Sequence, residues 1–318
     1  MTRAVVFAYH NVGVRCLSVL LAHGIEVALV VTHKDNPSET IWFDSVAELA
    51  ALHGIPSITP EDPNDPAIVA CIAALQPDFI FSFYYRQMLK APVLALAPHG
   101  AWNMHGSLLP KYRGRVPVNW AVLHGARESG ATLHRMLDKP DAGGILAQQA
   151  VPILPDDTAH EVFLKVTVAA EIALDGILPQ LIAGSAVEHA QDLTQGSYFG
   201  GRKPEDGRID WRQSAQAIHN LVRAVAPPYP GAFSDTAAGR LRVMKSFLPH
   251  QTTATQIATQ IATQTAAPET VLYEDNGALY SLCGDGQRLQ LLAVELDGVP
   301  LTTTTFAARF GTGVLSLT

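Results

Sequence analysis

Charge is scarce in this chain. Only 16% of its 318 residues are Asp, Glu, Lys or Arg, with 22 basic against 29 acidic and a net charge of −7. So weakly charged and mildly acidic a chain offers no field to hold a polyanion by counterion release, and no polybasic stretch suits an anionic membrane. Nucleic acid is therefore not an expected partner. Cysteine is scarcer still: Cys16, Cys71 and Cys283 are odd in number, far apart and not spaced as metal ligands. That excludes a disulfide framework and suits small buried hydrophobes in a reducing compartment. No window reaches about 18 uninterrupted apolar residues, and Met1-Thr2-Arg3 followed by Ala4 to Ala8 is too short for a signal peptide. A cytoplasmic location without a membrane partner is expected. Three catalytic or cofactor signatures are also missing. The loop Tyr9-His10-Asn11-Val12-Gly13 holds one glycine where a dinucleotide fingerprint needs three, and there is neither a G-x-S-x-G elbow nor an H-E-x-x-H zinc motif. These absences weigh against NAD or FAD, a serine hydrolase and a metal cofactor.

What is present is apolar and periodic. With 48% hydrophobic residues, a chain of this length buries roughly three quarters of its unfolded surface, enough for one large or two ordinary domains. Apolar runs at Ala4 to Ala8, Val27 to Thr32, Phe79 to Phe83, Ala101 to Met104, Thr132 to Met136 and Ile145 to Ile153 have strand length. Between them Arg15 to His23, Val46 to His53 and Ala67 to Leu75 carry helical periodicity. The alternation predicts an α/β fold, a Rossmann-like parallel sheet flanked by helices. Glu161 to Ile182 reads as one long helix starting after Asp156-Asp157-Thr158 and ending at Gly184, closing a first domain over 1–189. Residues 190–212, polar and glycine-rich, read as a surface linker. Over 213–318 a helix, Ser214 to Val225, precedes short strands at Phe233 to Asp235, Arg240 to Phe247, Thr270 to Tyr273, Ala278 to Cys283 and Arg288 to Leu296. Such spacing predicts a small β-barrel of OB-like type. The uncharged Ala-Thr-Gln-Ile repeat in Thr252 to Pro268 reads as a loop between strands, with no function assigned.

The densest chemistry lies in Asn103-Met104-His105-Gly106-Ser107-Leu108-Leu109-Pro110-Lys111-Tyr112-Arg113-Gly114-Arg115. On a strand, Asn103 and His105 project to one side, just where open α/β sheets place ligands past a strand's carboxyl end. A strand-end histidine equally serves a plain backbone hydrogen bond. A second cluster, Leu133 to Gly144, offers Asp141 on a glycine-bounded turn, a better partner for an imidazole than Asp138, although a turn aspartate also bonds its own backbone. Asparagine, histidine and aspartate together supply an oxyanion donor, an acid/base and an orienter for acyl-type transfer, without a nucleophile if the substrate brings its own amine.

These residues resemble the folate-dependent formyltransferases, in which N-x-H-x-S-L-L-P and a later D-x-G accompany formyl transfer to an amine. The likeness extends over nearly the whole chain and includes Phe7 to His10, Thr32-His33 with Asp35-Asn36-Pro37, Phe81 to Arg86, Thr132 to Met136, Val222 to Ala226 and Pro230 to Ser234. Members that formylate UDP-4-amino-4-deoxy-L-arabinose for lipid A modification are the most similar, and methionyl-tRNA formyltransferases are also similar. The resemblance implies 10-formyltetrahydrofolate as co-substrate, no metal, and a small nucleotide-sugar partner. It implies His105 as acid/base, Asn103 as transition-state stabiliser, and Asp141 as the carboxylate that raises the histidine pKa. For the folate it implies Gln87, Met88 and Leu89 on one wall, Leu137, Asp138, Lys139, Pro140 and Asp141 on the other, and Arg115 as a further contact. Pro140 stands where the most similar members have alanine, which bears on the turn before Asp141. Residues 190–318 carry 10 Lys+Arg and 11 Asp+Glu, and Lys34 to Thr40 is short and not basic. Both features disfavour a tRNA substrate. A formyltetrahydrofolate hydrolase or a non-catalytic folate-binding module is the alternative of a different class. For the sugar nucleotide, Tyr9, His10, Tyr84, Tyr85, Arg86, Tyr198, Arg202, Lys203 and Tyr229 are candidate contacts. The sequence leaves the oligomeric state open.

Overall fold

The most apolar runs become the central strands of a sheet. In the computed structural model, which describes residues 2–37, 39–249, 270–311 and 313–317, Phe79–Phe83 is buried at all five positions, as a strand covered on both faces must be. The repeat in Thr252 to Pro268 lies outside the described residues. The elements run β1 (Arg3–Ala8), α1 (His10–Ala22), β2 (Glu26–Val31), α2 (Val46–Leu52), β3 (Ser57–Ile58), α3 (Pro66–Ala74), β4 (Phe79–Phe83) and α4 (Ala91–Leu94). There follow β5 (Ala101–His105), β6 (Arg113–Gly114), α5 (Pro117–Leu123), β7 (Glu128–Arg135), β8 (Ile145–Pro152), α6 (Ala159–Ile182) and β9 (Tyr198–Phe199).

The main sheet has the order β3-β2-β1-β4-β5-β7-β8. Strands β3 to β5 pair in parallel, whereas β5–β7 and β7–β8 pair antiparallel. The parallel-rich, helix-flanked sheet is the expected one, with an antiparallel edge that apolar runs alone do not encode. The antiparallel step matters for the site. It lays His134 opposite Asn103 and Thr132 opposite His105, so that side chains from neighbouring strands face one another.

Local capping sets the helix starts. Ser45 accepts from Glu48 N, Asp65 accepts from Ala67 N ahead of Pro66, and Thr158 exchanges bonds with Glu161 at the head of α6. Inside the sheet, Val5, Phe7, Leu29, Val31, Ile80, Leu89 and Ala101 form one apolar cluster, and Tyr85 and Met136 pack against it. The loops after β4 and β7 are therefore seated on the same core.

The chain divides into two compact units, one of 1–118, 128–152 and 163–201, the other of 119–127, 153–162 and 202–318. Residues 190–201 of the segment read as a linker belong to the first unit, in which β9 pairs with β6. The second unit contains α7 (Ala215–Ala224), β10 (Ala232–Thr236), β11 (Gly239–Phe247), β12 (Val271–Asp275), β13 (Ala278–Leu282), β14 (Arg288–Leu296), β15 (Val299–Pro300), α8 (Thr303–Phe310) and β16 (Leu315–Ser316). Its strands form an antiparallel sheet in the order β10-β11-β14-β13-β12-β16, with β15 on β14. Ile218, Val222, Leu241, Leu289 and Phe306 share one core cluster there, which joins α7 and α8 to the sheet. No helix among the described residues is long and apolar enough to cross a membrane.

Candidate active site

Strand β5 ends on the residues that carry the chemistry. Trp102 and Met104 point into the core, and the strand's alternation leaves Asn103 half-buried, while His105 is buried at the strand's last position. His105 donates from Nε2 to the carbonyl of Tyr112 at 2.8 Å. Its other nitrogen, Nδ1, lies 3.6 Å from Asp141 Oδ1. The same carboxylate oxygen is 3.4 Å from His134 Nε2, and Asp141 Oδ2 accepts the Gly114 N–H at 2.8 Å. Asp141 is thus held between two imidazoles and a backbone donor, with only 13% of its side chain exposed against 7% for His105 and 3% for His134. At such burial the pairs are weakly screened.

Asn103 enters through His134. His134 Nδ1 donates to the Arg135 carbonyl at 2.9 Å, and its Nε2 accepts from Asn103 Nδ2 at 3.1 Å. This fixes which way the Asn103 amide faces. It leaves the second N–H of that amide for another acceptor. The sequence names His134 within a motif without giving it a role; the antiparallel register of β7 against β5 is what puts it between Asn103 and Asp141.

Two ionisations follow from the surroundings. Burial pushes the His105 imidazole below its ordinary value, and this outweighs the upward pull of Asp141 and of the bond to Tyr112. The expected upward pull of the carboxylate is present, yet the net direction is down because the ring is buried. For Asp141, burial pushes the carboxyl up, but His105, His134 and the Gly114 N–H outweigh it and hold it well below the usual carboxylate range. At neutral pH the pair is a carboxylate beside an imidazole that gives up its proton readily.

The loop from Gly106 to Val116 frames the centre. Ser107 Oγ donates to the Lys111 carbonyl at 2.7 Å, and Tyr112 N donates to Ser197 Oγ at 2.8 Å. Gly114 has φ +97, and a Cβ there would fall on the Phe199 carbonyl, so only glycine lets β6 and β9 close on each other while its N–H reaches Asp141. Arg113 is half-buried, and its Nε has no hydrogen-bond partner among the described residues; Arg115 is exposed.

The residues implied for the folate walls lie on the loops after β4 and β7. Gln87 is exposed and donates to the Glu61 carbonyl at 2.7 Å; Met88 is exposed, and its carbonyl accepts from Asn64 Nδ2 at 2.9 Å; the Leu89 side chain is buried in the core. Asn64 also accepts from Lys90 N at 2.7 Å, which clamps the loop, a role its sequence context does not signal. On the loop after β7, Leu137, Asp138 and Lys139 are exposed, and Pro140 is half-buried before Asp141, whose φ is +50. Met88 and Leu137 are thus exposed apolar side chains on two loops seated on one core.

Several candidate sugar contacts are engaged within the protein. Tyr9 donates to Asp35 at 2.6 Å, Tyr85 stacks on His33 at 4.1 Å, and Arg86 forms a two-point pair with Glu39, both contacts at 2.9 Å, while lying over the Tyr9 ring. His10 stacks on Phe43 at 3.9 Å, and Tyr84 lies edge-on to Phe163. Tyr198 is exposed on β9. In the second unit Arg202 lies over Trp120 and donates to the Asp206 carbonyl, Lys203 N donates to Asp206 Oδ2, and Tyr229 packs against that unit's core.

Comparison with known proteins places the chain in a family. A family model described as formyl transferase matches residues 7–176, and one described as the formyl transferase C-terminal domain matches residues 202–311. Among solved structures, the sugar 3N-formyl transferase WlaRD, crystallised in the presence of dTDP and 5-N-formyl-THF, is 21% identical with a TM-score of 0.69, covering 92% of this chain and 97% of that one. The N-formyltransferase from Helicobacter canadensis, in complex with folinic acid and dTDP-3-aminofucose, is 20% identical with a TM-score of 0.67, covering 92% and 99%. HypX from Aquifex aeolicus in complex with tetrahydrofolic acid is 16% identical with a TM-score of 0.61, covering 96% of this chain and 47% of that one. At these identities the likeness is one of fold.

Proposed function

Because the chain belongs to the formyl transferase family, we propose that it moves a formyl group from 10-formyltetrahydrofolate to the amine of a nucleotide-linked amino sugar, with UDP-4-amino-4-deoxy-L-arabinose as the first acceptor to test. The observation that carries this reading is the Asp141 carboxylate shared by two buried imidazoles beside an oriented Asn103 amide. Ser107, the hydroxyl beside His105 in sequence, donates to a carbonyl rather than to a base, so the rim is equipped for proton transfer and oxyanion stabilisation more than for attack by its own nucleophile.

In this reading His105, neutral at pH 7 with its own proton on Nε2, takes the proton that the amine sheds on Nδ1, the nitrogen that faces Asp141, and returns it from there to the leaving nitrogen of the folate, with Asp141 steadying the transient imidazolium. The free N–H of Asn103 stabilises the negative charge that develops on the formyl oxygen. Losing such a donor typically costs about 100- to 1000-fold in rate. Bound between the two loops, the folate supplies the activated formyl carbon. The backbone of Gln87, Met88 and Leu89 and that of Leu137 to Asp141 would hold its ring, with the exposed Met88 and Leu137 side chains as apolar walls and Arg115 as a cation nearby.

The sugar nucleotide as acceptor is supported by two neighbours of the same fold, each crystallised with a dTDP compound. It is supported also by Lys111, Arg113 and Arg115, cations in the loop that frames the site, and by Tyr198 as a stacking surface for a base. The near-even charge balance of residues 190–318 disfavours tRNA as the acceptor. The deciding experiment measures tetrahydrofolate release with UDP-, dTDP- and GDP-linked amino sugars, with methionyl-tRNA, and with no amine. Release that depends on a sugar nucleotide, with the formylated product seen by mass spectrometry, is expected. Release at full rate without an amine would make the protein a hydrolase and end the transferase reading. Much faster formylation of methionyl-tRNA would end the sugar reading alone.

A further inference from the structure

The segment after α6 does more than connect the two units. His189 forms a β-bridge with Ile145, with Ile145 N to His189 O at 2.7 Å and His189 N to Ile145 O at 2.8 Å. Two residues on, Gln191 sends its amide nitrogen to the main-chain carbonyl of Asp141 at 3.1 Å and to that of Gly143. Both N–H groups of that amide are thereby used on one turn, the turn that carries the shared carboxylate. Gln191 Oε1 is buried and has no hydrogen-bond partner among the described residues, so the side chain is placed for what its nitrogen does.

That turn is under strain. Asp141 has φ +50, a left-handed conformation that disfavours any residue with a Cβ and persists only where the surroundings over-determine it. Pro140 before it has no N–H to contribute to the turn. On the far side, a Cβ at Gly143 would fall on the Arg135 carbonyl, so the turn is pressed between β7 and Gln191. The carboxylate direction follows from the backbone so held, and with it the 3.6 Å to His105 and the bond from Gly114.

We infer that Gln191 is a positioning residue for the His105–Asp141 pair, acting from a segment that the sequence presents as a linker, by holding the strained Asp141 turn through two carbonyls. The inference rests on the reading of that pair as the acid/base of formyl transfer. A misplacement of about 1 Å in such a constellation can cost on the order of 100-fold in rate.

The test uses the full chain with Gln191→Met, close in shape and without donors, and Gln191→Glu, which regains one donor only when its carboxyl is protonated. Steady-state kinetics and the titration of the His105 imidazole by NMR in the ligand-free protein are the readouts. For Gln191→Met, kcat is expected to fall about 10- to 100-fold with KM for both substrates little changed, and the His105 titration to move to lower pH as the carboxylate recedes. For Gln191→Glu, kcat relative to Gln191→Met rises as pH falls. A kcat within about twofold of the parent, a kcat loss with the His105 titration unmoved, or unfolding of both variants would overturn the assignment. The titration does not depend on which amine is formylated. If the parent transfers no formyl group, the shift still decides whether Gln191 positions the pair.

Discussion

His105 and Asp141 face each other at 3.6 Å while the far nitrogen of the imidazole is tied to the Tyr112 carbonyl at 2.8 Å. The histidine is therefore oriented from both sides. Burial leaves the ring neutral near pH 7, and Asp141, held ionised by His105, His134 and the Gly114 N–H, is the group that makes a transient imidazolium tolerable there. The chemistry proposed for the site depends on both facts together.

His105→Gln keeps a polar group of similar size and removes the proton carrier. Formylation is expected to fall by at least about 100-fold, with thermal unfolding close to that of the parent, because the glutamine amide fills much of the buried imidazole's place at the end of β5 and can keep the bond to the Tyr112 carbonyl. Calorimetry beside a tetrahydrofolate-release assay checks both halves. Full turnover in the variant would remove His105 from the mechanism.

Asp141→Asn removes the upward pull on His105 and leaves burial unopposed. The rate rises with pH as His105 becomes neutral, so the acid limb of kcat in the parent should lie below the ordinary imidazole value of about 6.5. In the variant the limb should move to still lower pH, on a plateau reduced by about 100-fold or more. A limb that moves upward contradicts the assigned electrostatics.

His134→Phe removes the side chain that accepts from the Asn103 amide. The variant should lose much of what Asn103→Ala loses, and the double variant should fall well short of the product of the two, because each single change already disables the same donor. Multiplicative losses measured in kcat would show the two residues to be independent.

His33 carries a prediction about stability rather than rate. Burial, with Arg86 adding to it, lowers its imidazole to about 4. The unfolded chain therefore binds a proton more readily than the folded one below about 6.5, and stability is lost as pH falls from there towards 4. His33→Phe retains a ring to stack on Tyr85 and should flatten the decline of melting temperature over that window. An unchanged slope would show that other groups govern the acid response.

Much of the first unit was legible because apolar runs and capping residues act locally. Phe79–Phe83 is a strand at the expected bounds, and the long helix starts from Thr158 and Glu161 as their exchange of bonds requires. The short elements β3, β6, β9 and α4 escaped, since two to four residues carry no periodicity. In the site, the side chains of Asn103, His105 and Asp141 stood out by type and spacing. His134 did not stand apart from its motif, and Gln191 gave no signal at all, being one amide in a polar stretch.

The chain by itself determined which segments become buried strands, where α2, α3 and α6 begin, though not α1, which starts at His10 rather than Arg15, and which residue types stand past the end of β5, because these follow from solvation and from partners within a few residues. Tertiary structure alone decided that β7 runs antiparallel to β5, which sets His134 against Asn103, and that residues 189–199 return to hold the Asp141 turn and the Tyr112 loop. Both are pairings between segments tens of residues apart, chosen by the packing of the whole unit, and no local pattern of apolar and polar residues encodes them.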